Sequence, residues 1–322
     1  MRVIRDRSGE YGDCAYEYLH LEEWGDDNNE EPLFYGYATA YNDKVLEFFR
    51  ESNRKVYFQG EQPCGLFSTR PSIVKASLEV GNYFDEVYSF CPYSASWMNL
   101  IHGYDKYRAV NFPHHLKYAA PDEEIEKPLD VIYWGNVPEH GRNPSDILNI
   151  LENIVKFNHS FYTLGYGVPP KFHKYVTGVN VPRPQMWDRL RKSKIMVTSN
   201  LLYLTDAEAE VTKALPRWQE NEAFIRADEK IMPQVKTRPI EAIFNKTLVL
   251  LKEDPWRVFD HWFTPDEDFL YYKNDEDLEG KIRDITNDWD NYKHITNNAY
   301  KKAVELYTSE KLYRDIESKV LR

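Results

Sequence analysis

Lys236, Thr237 and Arg238 stand where a short apolar helix pattern, PIEAIF, begins, and Glu241 follows one turn later. Unpaired backbone N–H groups and the positive end of the helix dipole favour anions at such a start. Two cations beside it suit a diphosphate. A carboxylate one turn on is placed to accept hydrogen bonds from a ribose diol, as carboxylates do in dinucleotide sites. The plainer alternative is a surface salt-bridge cluster of Lys236, Arg238 and Glu241. Gly135 and Arg142 frame the loop after the apolar run DVIYWGN (130–136). Glycine lets backbone approach a phosphate and arginine offers a bidentate fork, although the same spacing also serves an ordinary turn.

Nearer the start of the chain, Asp13, Glu61 and the pair His114–His115 each follow an apolar run. Open α/β sheets bind ligands beyond the carboxyl ends of their strands, so each is a candidate general base toward an acceptor hydroxyl. Glu61 and Asp13 are the expected catalytic carboxylates, Asp13 reaching the edge of Glu61 if the first sheet is doubly wound. His114 and Tyr93 are expected to bind the ligand that carries that hydroxyl. Tyr93, Trp97 and Tyr104 can stack on a ligand ring or fill the core.

The chain has to position these groups with 322 residues, enough for two domains. Hydrophobic residues make up 42% and charged residues 29%, which excludes disorder and fibrous classes. The formal charge of −11 argues against a nucleic-acid partner, so an anionic ligand must be caught by a local basic cluster. Cys14, Cys64 and Cys91 are too few and scattered for a disulfide framework or a zinc site. No apolar run approaches the roughly 20 residues of a membrane span, and the start lacks a signal-peptide pattern, so a soluble cytoplasmic protein with no transmembrane segment is expected.

Strand patterns at 3–5, 55–59, 86–90 and 107–112 alternate with helix patterns at 44–52 and 71–80. A proline-flanked linker, PDEEIEKP (121–128), follows. The alternation then restarts, with strands at 130–136, 160–167, 194–200 and 247–251 and helices at 146–157, 185–193, 238–246 and 275–286. The last 30 residues read as helix. Such alternation implies α/β domains with parallel sheets. Residues 205–230, TDAEAEVTKALPRWQENEAFIRADEK, are longer than a usual connection. The readings open for them are a lid, a homo-oligomer contact and a surface excursion.

Three segments carry a family resemblance in order and spacing: DVIYWGN with the downstream Gly141-Arg142, then PQMWDRLRKSKIMVTSN (184–200), then KTRPIEAIFNKTLVLL (236–251) with FTPDEDFLYYKNDEDL (263–278). Together they resemble the donor-binding domain of GT-B glycosyltransferases. The likeness is to the group-1, family 4-like enzymes and their spore-maturation branch, over roughly residues 128–300. It implies two Rossmann-like parallel-sheet domains facing a cleft: an acceptor-binding domain over 1–122, a nucleotide-sugar domain over 128–300, and a C-terminal helix over 301–322. It also implies transfer of a sugar from a nucleotide-diphosphate sugar to a glycan or other hydroxyl acceptor, with no cofactor. Arg238, Lys236, Thr237, Arg142 and Gly135 would lie at the diphosphate and Glu241 at the ribose. The further glutamate that group-1 enzymes often carry eight positions before the ribose glutamate is Pro233 here.

The sequence has no G-x-G-x-x-G after its first strand, no P-loop and no G-x-S-x-G. Asp266-Glu267-Asp268 and Asp275-Glu276-Asp277 mimic a D-x-D metal motif but follow the donor helix, so no metal is expected. The replaced glutamate keeps a non-catalytic nucleotide-sugar or glycan-binding relative as an alternative. A nucleotide-sugar epimerase is a third reading, for which the chain is short.

Overall fold

The computed structural model describes residues 2–5, 32–36, 54–59, 71–137, 145–163, 167–217, 226 and 228–318. Asp13, Glu61 and Arg142 lie outside these, as do the acidic run 20–31 and the predicted helix at 44–52. Two compact units emerge. The first draws on Met1–His115, Leu202–Val235 and Thr308–Arg322, the second on Leu116–Leu201 and Lys236–Tyr307.

In the first unit five parallel strands, β1 (Arg2–Arg5), β2 (Pro32–Gly36), β3 (Val56–Gln59), β4 (Glu86–Ser89) and β5 (Tyr107–Ala109), lie side by side in chain order. This differs from a doubly wound order: β1 is an edge strand and β3 the centre. Helices α1 (Pro71–Glu79) and α2 (Pro92–His102) flank the strands. The α2 helix has proline in its first turn, and Gly103 ends it with φ 67°, a left-handed stop that favours glycine.

The expected contiguous domains are interrupted. Residues 202–235 fold onto the first unit through strands β10 (Leu201–Tyr203) and β11 (Ile231–Pro233), which pair with each other. Between them runs α5 (Asp206–Lys213), opened by a capping box of Thr205 and Glu208. Leu204, Ala209, Leu215 and Met232 share one core with Tyr57, Val87 and Trp97. That burial is the reason this polar-looking segment belongs there. The C-terminal helix α9 (Ser309–Glu317) joins the same unit: Ser309 N–H donates to the His114 carbonyl at 3.1 Å.

The second unit is a six-stranded parallel sheet ordered β13-β12-β9-β6-β7-β8. Its strands are β6 (Leu129–Trp134), β7 (His159–Thr163), β8 (Gly178–Val179), β9 (Ser193–Ser199), β12 (Leu248–Lys252) and β13 (Leu270–Tyr272). The central runs VIYW, IMV and LVLL are apolar on both faces because helices cover both sides of a parallel sheet. Those helices are α3 (Ser145–Ile154), α4 (Arg183–Arg191), α6 (Thr237–Phe244), α7 (Asp275–Asn287) and α8 (Trp289–Leu306). Ile147, Ile150, Leu151 and Ile154 of α3 recur at helical spacing and enter the core with Val131, Ile195 and Leu250. Burying each such side chain is worth about 1.5–3 kcal/mol. Between the acidic triplets 266–268 and 275–277 lies β13, whose three residues are buried.

The chain enters this sheet at β6, winds outward through β7 and β8, then crosses to β9 and out through β12 and β13. Direction therefore reverses between β6 and β9, and the carboxyl ends of these two strands flank a crevice position where such sheets bind ligands. No described helix is long and apolar enough to cross a membrane.

Candidate functional site

Three elements of the second unit converge at that reversal. β6 ends at Trp134 and hands over to Gly135, whose N–H donates to the Tyr162 carbonyl at 3.1 Å. A Cβ on Gly135 would sit 2.7 Å from Cζ of Arg238 and closer still to Nη1. The glycine leaves the room in which the arginine guanidinium lies against the backbone. Arg238 stands in the first turn of α6, whose N-cap residue Lys236 is extended and supplies no side-chain cap. Thr237 opens the helix. The N–H groups of Thr237 and Arg238 have no intrahelical acceptor, and Pro239 has none to offer. Among the described residues the Arg238 guanidinium forms neither a hydrogen bond nor an ion pair.

Lys236 is committed differently. Its ammonium donates to the carbonyls of Ser199 at 2.5 Å and Leu201 at 3.0 Å, closing the end of β9. Its backbone N–H reaches Oδ1 of the buried Asn200 at 3.4 Å. Glu241 is 1% exposed and forms an ion pair with Arg183 of α4, which in turn lies over the Trp134 ring at 4.2 Å. Burial pushes the Glu241 carboxyl above the usual range, against the opposing charges of Arg183 and Arg238. Burial also raises the Tyr133 hydroxyl to about 12, and the Arg238 charge opposes it.

Three buried polar atoms here have no hydrogen-bond partner: Oδ1 of Asn136 after β6, Nδ2 of Asn200 after β9, and Oε2 of Glu241 in α6. Buried polar atoms are nearly always paired; these three, like others elsewhere in the molecule, leave hydrogen-bonding capacity unused, here at one sheet edge. Two guanidiniums act on a single carboxylate, which gives the local site the cationic excess that the chain as a whole lacks. No group of three or more His, Cys, Asp or Glu able to hold a metal occurs among the described residues.

The family "Glycosyl transferase-like" matches residues 148–318, more than half of the chain. The chain belongs to this glycosyltransferase family. No curated protein matches the sequence. Solved structures show the same fold. HepE of Anabaena in complex with UDP-glucose aligns with a TM-score of 0.58 and 11% identity, over 98% of this chain and 84% of that one. Sucrose-phosphate synthase from Thermosynechococcus elongatus gives 0.59 and 11%, over 97% and 78%. A glycosyltransferase from Rickettsia africae gives 0.56 and 11%, over 99% and 96%. The fold is therefore that of GT-B glycosyltransferases, α/β with parallel sheets and a helical C-terminus.

Of the expected donor residues, this glycosyltransferase brings Gly135, Lys236, Thr237, Arg238 and Glu241 to one sheet edge. In the first unit His114 is buried, at 1% exposure, its Nδ1 3.1 Å from the His115 carbonyl. His115 Nδ1 faces Glu310 at 3.5 Å. The histidine pair is thus packed where α9 begins. Trp97 is a core residue, Tyr93 and Tyr104 pack against that core, and Tyr104 stacks on His102 at 4.9 Å. Sequence reasoning missed Arg183, Asn200 and the platform role of Trp134. The P-R-P run at 182–184, an arginine held between two prolines at a helix start, was the available signal for Arg183.

Proposed function

We propose that the protein transfers a sugar from a nucleotide-diphosphate sugar to a hydroxyl of a glycan or other acceptor, without a metal ion and without a cofactor. The observation that carries this reading is the uncommitted Arg238 guanidinium at an uncapped helix start, seated against Gly135 at the point where the sheet order reverses. Several structures of the same fold hold UDP or UDP-glucose, HepE among them. Arg238 and the free N–H groups of α6 would take the diphosphate and stabilise the charge that develops on it as the glycosidic bond breaks, an electrostatic contribution made by groups already in place. Lys236 would act one step back, fixing the end of β9 through two carbonyls, with Arg142 as a further phosphate ligand. Glu241 would accept from the ribose. Asp13 and Glu61 are the proposed acceptor-activating carboxylates.

The test is incubation with a panel of UDP-, GDP-, ADP- and CMP-sugars with and without excess EDTA, reading release of free nucleotide. Release that survives EDTA is expected. Activity lost to EDTA and restored by manganese would overturn metal independence. Tight binding without turnover would make the protein the non-catalytic relative that Pro233, in place of the family's further glutamate, leaves open.

A further inference from the structure

We infer that Arg183 is a positioning residue of the donor site: anchored on the Trp134 ring, it takes one oxygen of Glu241 and leaves the other, Oε2, as a lone ionised acceptor for a single ligand hydroxyl. This deepens the donor-site reading and rests on it. Arg183 comes from the start of α4, held between Pro182 and Pro184, and its guanidinium lies 4.2 Å from the centre of the Trp134 ring at the end of β6. A planar guanidinium stacked on an aromatic face has its donor directions fixed by the stack. Nη1 points to Oε1 of Glu241, the pair being 20% and 1% exposed at the side chain. On the other side of the same carboxylate Oε2 is buried with no partner. The backbone of Glu241 is held as well: its carbonyl accepts from Asn245 Nδ2 at 2.7 Å, and Asn245 Oδ1 accepts from Arg191 Nε at 2.7 Å. The carboxylate is therefore fixed along its helix and at one of its two oxygens.

A buried carboxylate with no cation beside it protonates, and a protonated oxygen no longer accepts a hydroxyl hydrogen in the same way. The charged groups acting on Glu241 are Arg183 from α4 and Arg238 from its own helix. Among the described residues β9, β12 and α8, packed on the same helix, bring no charged side chain against it. Arg183 is the one of the two that also touches the carboxylate, so its loss would raise the pH at which Glu241 ionises.

The experiment measures UDP affinity from pH 5 to pH 8 by calorimetry for the wild type, Arg183→Met, Arg183→Lys and Glu241→Gln. The titration of the UDP phosphate is common to all four. Wild-type affinity should rise with pH as Glu241 ionises. Arg183→Met should move that midpoint upward and weaken binding at neutral pH by about 10- to 100-fold, the scale of a lost charge-assisted hydrogen bond. Arg183→Lys should restore the midpoint in part, and Glu241→Gln should remove the Glu241 component altogether. With 2′-deoxy- and 3′-deoxy-UDP, only one of the two should lose affinity. An unmoved midpoint in a folded Arg183→Met, tighter binding on removal of Arg183, or equal loss with both deoxy ligands overturns the inference while leaving the donor site intact. If the wild type binds none of UDP, GDP, ADP and CDP, the donor-site reading falls and the inference falls with it.

Discussion

Two helices of the second unit begin beyond the carboxyl edge of the same sheet, and their first turns carry opposite charge. Asp146 stands in the first turn of α3, and its Oδ1 accepts from Lys252 at the end of β12 at 3.1 Å. The favourable interaction that a helix start offers an anion is thus already taken there by the protein's own carboxylate. In α6 the first turn has no acidic residue, the N-cap gives no side-chain cap, and Arg238 lies beside it without an ion pair among the described residues. The two starts share a sheet and a dipole direction. What separates them is the charge of the side chain in the first turn, a carboxylate in α3 and a guanidinium in α6. Of these two helix starts, the local charge leaves only that of α6 open to an anion.

Removing the guanidinium at the α6 start should cost the most affinity. Arg238→Ala should weaken nucleoside diphosphate binding by about 10- to 100-fold while changing nucleoside binding much less, because one charge-assisted pair is worth about 1.5–3 kcal/mol. Calorimetry with UDP and uridine checks this, and equal loss for both ligands would give Arg238 a structural role instead. Gly135→Ala should produce a smaller loss of the same selectivity. Its Cβ would sit 2.7 Å from the Arg238 Cζ, so the guanidinium must swing aside, and a flexible side chain can do so at little cost to the fold. The measurement is diphosphate affinity against melting temperature. A variant that melts early but binds normally would show that Gly135 serves only the turn.

The second unit was legible because apolar periodicity specifies it: Ile147, Ile150, Leu151 and Ile154 mark one face of α3, and VIYW, IMV and LVLL can only be strands buried on both faces. Gly135, Arg238 and Glu241 were legible as types in a loop-and-helix setting. Their meeting was not, since nothing in sequence says that the glycine makes room for the arginine rather than for a phosphate. Arg183 lies 58 residues from Glu241, and an ion pair across that distance leaves no periodic trace. The return of 202–235 to the first unit was hidden by its polar composition, although Thr205 and Glu208 already formed a capping-box spacing. Those of its apolar residues that enter the core, Leu204, Ala209, Leu215 and Met232, lie too far apart to show that they fill a core assembled from the first 115 residues. Similarly, β13 was masked by the acidic turns on either side of Leu270–Tyr272.

If α3 is closed to anions because Asp146 fills its first turn, then Asp146→Asn should not convert it into a competing diphosphate site. The α3 start would lose a charge but would still lack a guanidinium seated against it as Arg238 is seated against Gly135. Diphosphate affinity should therefore change by no more than about twofold, the size of a modest change in a screened local field. The Asp146–Lys252 pair is largely buried, at 11% and 21% side-chain exposure. Leaving Lys252 without its carboxylate should lower stability by about 1 kcal/mol, somewhat more than an exposed pair would cost. Urea unfolding read alongside UDP calorimetry separates the two effects. A rise in UDP affinity of about tenfold or more would show that α3 binds the phosphates and that its own carboxylate had been holding it shut.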